Sequence, residues 1–415
     1  MKQVLLLFSG RIDRWARAGP HGIAKKLIAY LNERKAGAYG IELKITYLSS
    51  IPLYILSLVA SHILFKRIHA IPVRLLDFFS QLLLKLKIYC MRSFISKKKE
   101  LVNKASIIQI HDPVTYICLL STLPDILEKK PVIYAHHAPG ALHIYLVRQY
   151  SKLKGCTYVQ KIKKLEILTF KHVKRLIVPS KYTLRLLQLD LPEVDFSRKK
   201  INVIYNGIEP LGGSKGKIRQ ALNIPRDAFI ISTVAKLIKD KGVDLIIRAA
   251  HILTTKYSIK NFHVVIRGYG PELPRLKKLV QELGLSGKIH FLPYIKNIGD
   301  LYVDSDVFVM AQRRAAFDLT VLEALSAGVP VVVSDIEGNV EAVGSAGLRF
   351  KSEDVHALAK TIYRLYVDHE LRDTLSKKAL KIFRERYTLE VMANNYIRVY
   401  RELIREPCTP GRAEP

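Results

Sequence analysis

Two segments in the second half of the chain bring ammonium groups and helix starts together. In the first, an apolar run over residues 231–234 leads into a turn carrying Lys236 and Lys241, then Gly242 and an apolar helical stretch. In the second, Phe317-Asp318-Leu319-Thr320 opens a helix with Glu323 one turn in. Gly328-Val329-Pro330 ends that helix, and the wholly apolar Val331-Val332-Val333 follows. A helix start exposes unpaired amides at the positive end of its dipole, and lysines add mobile point charges, so both turns suit bound phosphate. One such turn is also what an ordinary strand–helix packing unit looks like. Two in this order within one domain point to a diphosphate, with Leu319 and Thr320 offering backbone amides.

Two further motifs accompany them: Val203-Ile204-Tyr205-Asn206-Gly207-Ile208-Glu209 and Ile266-Arg267-Gly268-Tyr269-Gly270-Pro271-Glu272. With these the chain resembles, over nearly its whole length, family 4 of the retaining, nucleotide-sugar-dependent glycosyltransferases. The lysine turn is like the family's Gly-Arg-Leu then Lys-Gly, the stretch around Glu323 like its Glu-x7-Glu ending in Leu-Glu-Ala, and the other two like its interdomain Pro-Asn-Gly-Val-Asp and its Gly-x-Gly-Pro turn.

The resemblance implies an α/β protein with two Rossmann-like domains facing each other across a cleft, the GT-B type. It implies a hexosyltransferase that uses a UDP- or GDP-sugar as donor, with no cofactor and no metal. Lys236, Lys241, Gly268, Phe317, Leu319, Thr320 and Glu323 would hold the donor, Glu323 through the ribose hydroxyls. Gly22, in the turn before the first helix, would let the backbone approach it. Of the tandem His136-His137 at a strand end, His137 stands where the family carries a histidine near the donor sugar. His111 and Asp112 end another strand and are expected on the acceptor side.

The departures are specific. Ala315 stands where the family's first Glu belongs, leaving Asp318 as the nearest carboxylate for the transfer. Lys236 replaces an arginine, keeping the charge and losing the planar fork that grips phosphate twice. Pro293 replaces a glycine. A non-catalytic nucleotide-sugar-binding homologue is therefore the alternative reading, marked by nucleotide binding without transfer. Asp304-Ser305-Asp306 looks like a metal-binding Asp-x-Asp, but it sits just before an apolar strand, where a helix-end cap is expected.

Apolar runs of strand length at 4–8, 43–48, 107–110, 132–135 and 176–178, then at 231–234, 263–266, 289–292, 307–310 and 331–333, alternate with helical periodicity and predict two covered parallel sheets. A chain of 415 residues exceeds one core. The expected organisation is an acceptor domain over 1–205, a nucleotide-sugar domain over 206–385, and a helix with a loose tail over 386–415 that crosses back to the first domain.

With 49% hydrophobic and 25% charged residues the chain is globular. Its four cysteines are too scattered for a disulfide framework or zinc site. The formal charge of +31 is concentrated in the first half, where between residues 51 and 104 the many lysines and arginines face only Asp77 and Glu100. Residues 72–95 place Leu75, Phe79, Leu82, Leu83, Leu86, Cys90 and Phe94 at helical spacing beside basic residues, which predicts an anionic membrane surface as partner, the alternative being a helix packed on its own domain with a solvated basic face. No nucleic-acid module accompanies the charge, so nucleic acid is not expected. No run is long enough to span a bilayer. The expected setting is the cytoplasm, peripheral on the inner face of the cell membrane, with a saccharide or lipid-linked acceptor.

Overall fold

The alternation of short apolar strands and helices builds two parallel sheets. The computed structural model describes residues 2–8, 29–30, 41–47, 72–138, 140–292, 294–313 and 317–405. They divide into two compact units, Met1–Tyr205 with Met392–Pro415, and Asn206–Val391. The first unit contains β1 (Lys2–Phe8), β2 (Ile41–Tyr47), β3 (Ile107–Ile110), β4 (Val132–Ala135), β5 (Arg175–Val178) and β6 (Lys200–Val203). The second contains β7 (Phe229–Val234), β8 (Phe262–Arg267), β9 (Ile289–Leu292), β10 (Val307–Met310), β11 (Val331–Ser334) and β12 (Gly347–Phe350). The spatial orders are β2-β1-β3-β4-β5-β6 and β12-β11-β10-β7-β8-β9.

Helices on both faces demand strands apolar on both faces, and the central strands comply: β3, β7, β10 and β11 are buried throughout. The edge strands β6 and β12 were not expected from the sequence. An edge strand has one paired neighbour and is half-solvated, so Lys200-Ile201-Asn202-Val203 and Gly347-Leu348-Arg349-Phe350 lack a continuous apolar run. Strand order reverses between β1 and β3 in one unit and between β7 and β10 in the other. At such a reversal the following helices depart to opposite faces, leaving the carboxyl ends of the strands open to a ligand.

The covering helices include α1 (Val73–Lys97), α2 (Pro113–Thr122), α3 (Leu142–Gln149), α4 (Thr157–His172), α5 (Val243–Thr255), α6 (Leu319–Ser326) and α7 (Leu389–Arg405). The expected apolar stripe of α1 divides along the helix, with Leu75, Phe79 and Leu82 exposed and Cys90 and Phe94 buried. Its buried residues are Leu76, Ser80, Leu84, Cys90, Met91, Phe94 and Ile95, while Leu75, Phe78, Phe79, Leu82 and Tyr89 are exposed. The helix is apolar around much of its circumference in its first half, so spacing alone does not select which stripe the core takes.

The second unit extends beyond the expected boundary at 385 because both its ends are tied together. Ile208 donates its amide to the Tyr387 carbonyl at 2.9 Å and accepts from the Leu389 amide at 3.0 Å. From Met392 onward α7 belongs to the first unit, where it buries Met392, Ala393, Tyr396, Ile397 and Tyr400. Glu402 meets the buried Arg175 at 3.2 Å.

The turn that follows β4 is held by two carboxylates. Glu166, fully buried on α4, accepts from the amides of Leu142 and His143 at 2.6 and 2.9 Å and meets His143 Nδ1 at 2.8 Å. Asp190 accepts from the Ala141 amide at 2.8 Å. Gly140 has φ +79°, and a Cβ there would lie 2.3 Å from Asp190 Oδ2. Glu166→Ala leaves buried donors unpaired, and urea unfolding should show a loss of about 3 kcal/mol. An unchanged midpoint would remove this anchoring role.

Candidate functional site

In the second unit the loops after β7, β8 and β10 pack backbone against backbone. After β7 the chain passes through exposed Lys236 and a single tight turn, Lys239–Lys241, into α5. Gly242 adopts φ +62°, and a Cβ there would lie 1.7 Å from the Ala311 carbonyl oxygen at the end of β10. Gly268, just after β8, would place a Cβ 1.9 Å from the Ala235 carbonyl oxygen. These close approaches exclude any side chain, which is why glycine stands at both positions.

This packing brings Lys241 to the start of α6. Its Nζ lies 2.8 Å from Asp318 Oδ1, with both side chains about three-quarters buried. Asp318 occupies the N-cap position of α6, yet its side chain does not cap the helix. It turns to Lys241 instead, and its amide donates to Asn339 Oδ1 at 3.3 Å. The start of α6 at Leu319 and Thr320 therefore has no side-chain cap among the described residues, and an ammonium group stands beside it. Phe317 packs inward, edge-on to Tyr387 at 5.8 Å.

Glu323 lies one turn into α6. The fully buried Tyr302 donates its phenol to Glu323 Oε2 at 2.8 Å and lies 3.3 Å from the Thr320 carbonyl. Burial, then the Glu323 charge, push the phenol well above its ordinary pKa, so it remains a donor. Arg267, at the end of β8, is close enough for its charge to oppose that shift. Arg267 Nε and Thr320 Oγ1 are buried without a hydrogen-bond partner among the described residues. Tyr302 and Arg267 were not singled out from the sequence. Arg267 directly precedes Gly268 in the quoted turn and was legible there, whereas nothing local marks Tyr302.

Asp304 and Asp306 are engaged with backbone. Asp304 accepts from the amides of Gly216, Ile218 and Arg219, and Asp306 from the amide of Ile230 at 2.8 Å. Among the described residues no group of three or more His, Cys, Asp or Glu is arranged to hold a metal ion.

In the first unit β3 and β4 are neighbours and deliver their following residues side by side. His136 is buried, with Nε2 2.9 Å from the Gly140 carbonyl, and loss of water pushes its pKa down. His137 is half-buried, and its Nε2 lies 2.8 Å from Nδ1 of His111. The tandem pair thus divides into one packed ring and one at the strand end. Asp112 caps α2, accepting from the Thr115 amide at 3.0 Å and its hydroxyl at 2.6 Å. Gly22 and Ala315 lie outside the described residues.

Comparison with known proteins follows the same division. Residues 55–210 match the family model Glycosyltransferase Family 4, and residues 214–382 match Glycosyl transferases group 1. The chain is 34% identical over 210 residues to the O-antigen biosynthesis glycosyltransferase WclY of Escherichia coli, covering 50% of this chain and 57% of that protein. It is 32% identical over 186 residues to the N,N'-diacetylbacillosaminyl-diphospho-undecaprenol alpha-1,3-N-acetylgalactosaminyltransferase of Campylobacter jejuni, covering 44% and 47%. The matched segment spans about half the length of these curated relatives. Among solved structures, sucrose-phosphate synthase from Thermosynechococcus elongatus superposes with a TM-score of 0.69 at 17% identity, over 97% of this chain and 99% of that one. That likeness establishes the fold.

Tyr302→Phe removes the phenol donor while keeping the ring. Urea unfolding should show a loss of about 1–2 kcal/mol, and an unchanged stability would show that the bond to Glu323 contributes nothing.

Proposed function

The chain belongs to the family 4 type of GT-B glycosyltransferases, and we propose that it moves a hexose, with retention, from a UDP- or GDP-sugar to a saccharide or lipid-linked acceptor at a membrane surface. The observation that carries this reading is the ammonium of Lys241 beside the uncapped start of α6. A pyrophosphate arriving there exchanges for the Asp318 carboxylate as the partner of Lys241 and takes the Leu319 and Thr320 amides as further donors. Lys236 adds a second cation. Lysines and helix amides meet the charge that grows on the leaving diphosphate, so no metal is needed. Glu323, oriented by Tyr302, takes the ribose hydroxyls. Gly268, and Gly22 in the first unit, allow close backbone approach to the donor. His137 of the first unit serves the donor sugar, and His111 the acceptor side.

A lipid-linked acceptor is supported by the names of the relatives, which act in O-antigen biosynthesis and on an undecaprenol-linked sugar. It is supported as well by α1, whose exposed Leu75, Phe78, Phe79 and Leu82 lie on a helix that also carries Arg74, Lys85, Lys87 and Arg92. No helix among the described residues is long and apolar enough to cross a membrane. The contact we propose through this face of α1 is peripheral, at the cytoplasmic face.

The decisive measurement is calorimetric titration of UDP and GDP, together with nucleotide release from their hexose conjugates in the presence of a lipid-linked saccharide. One nucleotide should bind, and Lys241→Ala should weaken it by about tenfold or more, the worth of one charge-assisted hydrogen bond. Binding of neither nucleotide would overturn the proposal, and binding without transfer would favour the non-catalytic reading that Ala315 raises. Flotation with vesicles containing anionic lipid should retain the protein at low salt, less so for a Phe78→Ser, Leu82→Ser double variant. Recovery of unbound protein at low salt would remove the membrane surface.

A further inference from the structure

Four polar side chains of the first unit form one continuous chain that ends on His137. Tyr400, buried on α7, donates its hydroxyl to Oε1 of the fully buried Gln109 at 2.8 Å. Gln109 Nε2 lies 3.1 Å from His111 Nε2. His111 Nδ1 lies 2.8 Å from His137 Nε2. The residues come together because Gln109 and His111 are two apart along β3 and its extension, hence on one face of the sheet. His137 follows the neighbouring strand, and α7 covers the same face.

The geometry of the last contact is informative. The two imidazole planes are within 6° of parallel, yet the ring centroids are 5.1 Å apart. With so short a nitrogen–nitrogen distance, that separation puts the rings end to end in one plane. The shared hydrogen therefore points along a lone pair of the accepting ring, the favourable direction.

We infer that Tyr400 and Gln109 are positioning residues that set the tautomer of His137 through His111. The inference rests on the proposed role of His137 at the donor sugar for its consequence, and on the hydrogen bonds alone for its substance. With its carbonyl oxygen held by the Tyr400 hydroxyl, Gln109 can present only its NH2 group to His111. The His111 Nε2 must then be the unprotonated nitrogen, which places the His111 hydrogen on Nδ1. That hydrogen is donated to His137 Nε2, so His137 carries its own hydrogen on Nδ1. Each link removes one of two choices, and the direction of the whole chain is decided at Tyr400. The Tyr400 hydroxyl has no other hydrogen-bond partner among the described residues, so its hydrogen is satisfied only on the Gln109 oxygen, and burial, then the neighbouring Tyr396, raise the phenol well above its ordinary range and keep it protonated. The arrangement resists a proton on either imidazole, because an added hydrogen on His111 Nε2 or His137 Nε2 would face another hydrogen. His137 thereby serves as a neutral hydrogen-bond donor through Nδ1 rather than as a base through Nε2.

Nitrogen-15 NMR of the full chain labelled at histidine tests this directly, since protonated and unprotonated ring nitrogens resonate in separate regions. In the unaltered protein His111 and His137 should each show the hydrogen on Nδ1; a hydrogen on Nε2 of His137 would overturn the inference without any variant. Gln109→Glu, nearly isosteric, offers His111 only acceptor oxygens and should reverse both tautomers. Tyr400→Phe frees the Gln109 amide to turn over and should leave His137 as a mixture. Unchanged nitrogen signals in both variants would sink the relay. Sugar transfer, measured as kcat and as donor KM, should fall about tenfold or more in kcat in Gln109→Glu, with KM little changed. Reversed tautomers with unchanged kcat would uphold the relay and remove His137 from the chemistry, which separates the two claims.

Discussion

Parallel strand pairing is the constraint on which the rest of this molecule depends. A parallel sheet needs a crossover between consecutive strands, so every strand in a unit ends on the same edge, and every loop that can carry chemistry is gathered there. Lys236 and Lys241 after β7, Arg267 at the end of β8 with Gly268 after it, and the start of α6 beyond β10 are far apart in sequence and share that edge. In the first unit the same rule delivers His111 and His137 side by side from β3 and β4. The order reversal between β7 and β10 then separates the two following helices, and the glycine at 242 lets the loop after β7 pack against Ala311 at the end of β10.

The contacts at that edge have a common character: polar side chains are held by one another. Lys241 and Asp318 pair beside a helix start that has no side-chain cap among the described residues. Tyr302, its phenol pushed well above the ordinary range by burial, donates to Glu323, and Arg267 Nε and Thr320 Oγ1 are buried without a hydrogen-bond partner among the described residues. The first unit is organised in another way. There the carboxylates Glu166 and Asp190 are consumed in fixing the loop after β4, and Tyr400, Gln109, His111 and His137 are joined one to the next.

The fold was legible where physical signals are local. Buried parallel strands need continuous apolar runs, and all ten expected runs coincide with strands, while β6 and β12 escaped because a half-solvated edge strand needs no such run. The register of α1 was not legible, since a helix apolar on more than one stripe leaves the choice of buried stripe to its neighbours. The lysine turn and the α6 start were legible as charge and helix signals. The pairing of Lys241 with Asp318 was not, because the two are 77 residues apart and meet through the packing of Gly242 on Ala311.

By itself, then, the amino-acid sequence determined the two covered parallel sheets, the glycines at close backbone approaches and the cationic turns of the second unit, all properties written in neighbouring residues. Tertiary structure alone decided that Asp318 faces Lys241 instead of capping its own helix, that Asp112, Asp304 and Asp306 serve backbone amides, and that Tyr302 holds Glu323. It alone decided which member of the His136-His137 pair is packed away and which is joined through His111 and Gln109 to a tyrosine near the other end of the chain. The physical reason is that a hydrogen bond is set by distance and direction in space, and folding brings together groups whose separation along the chain leaves no local trace.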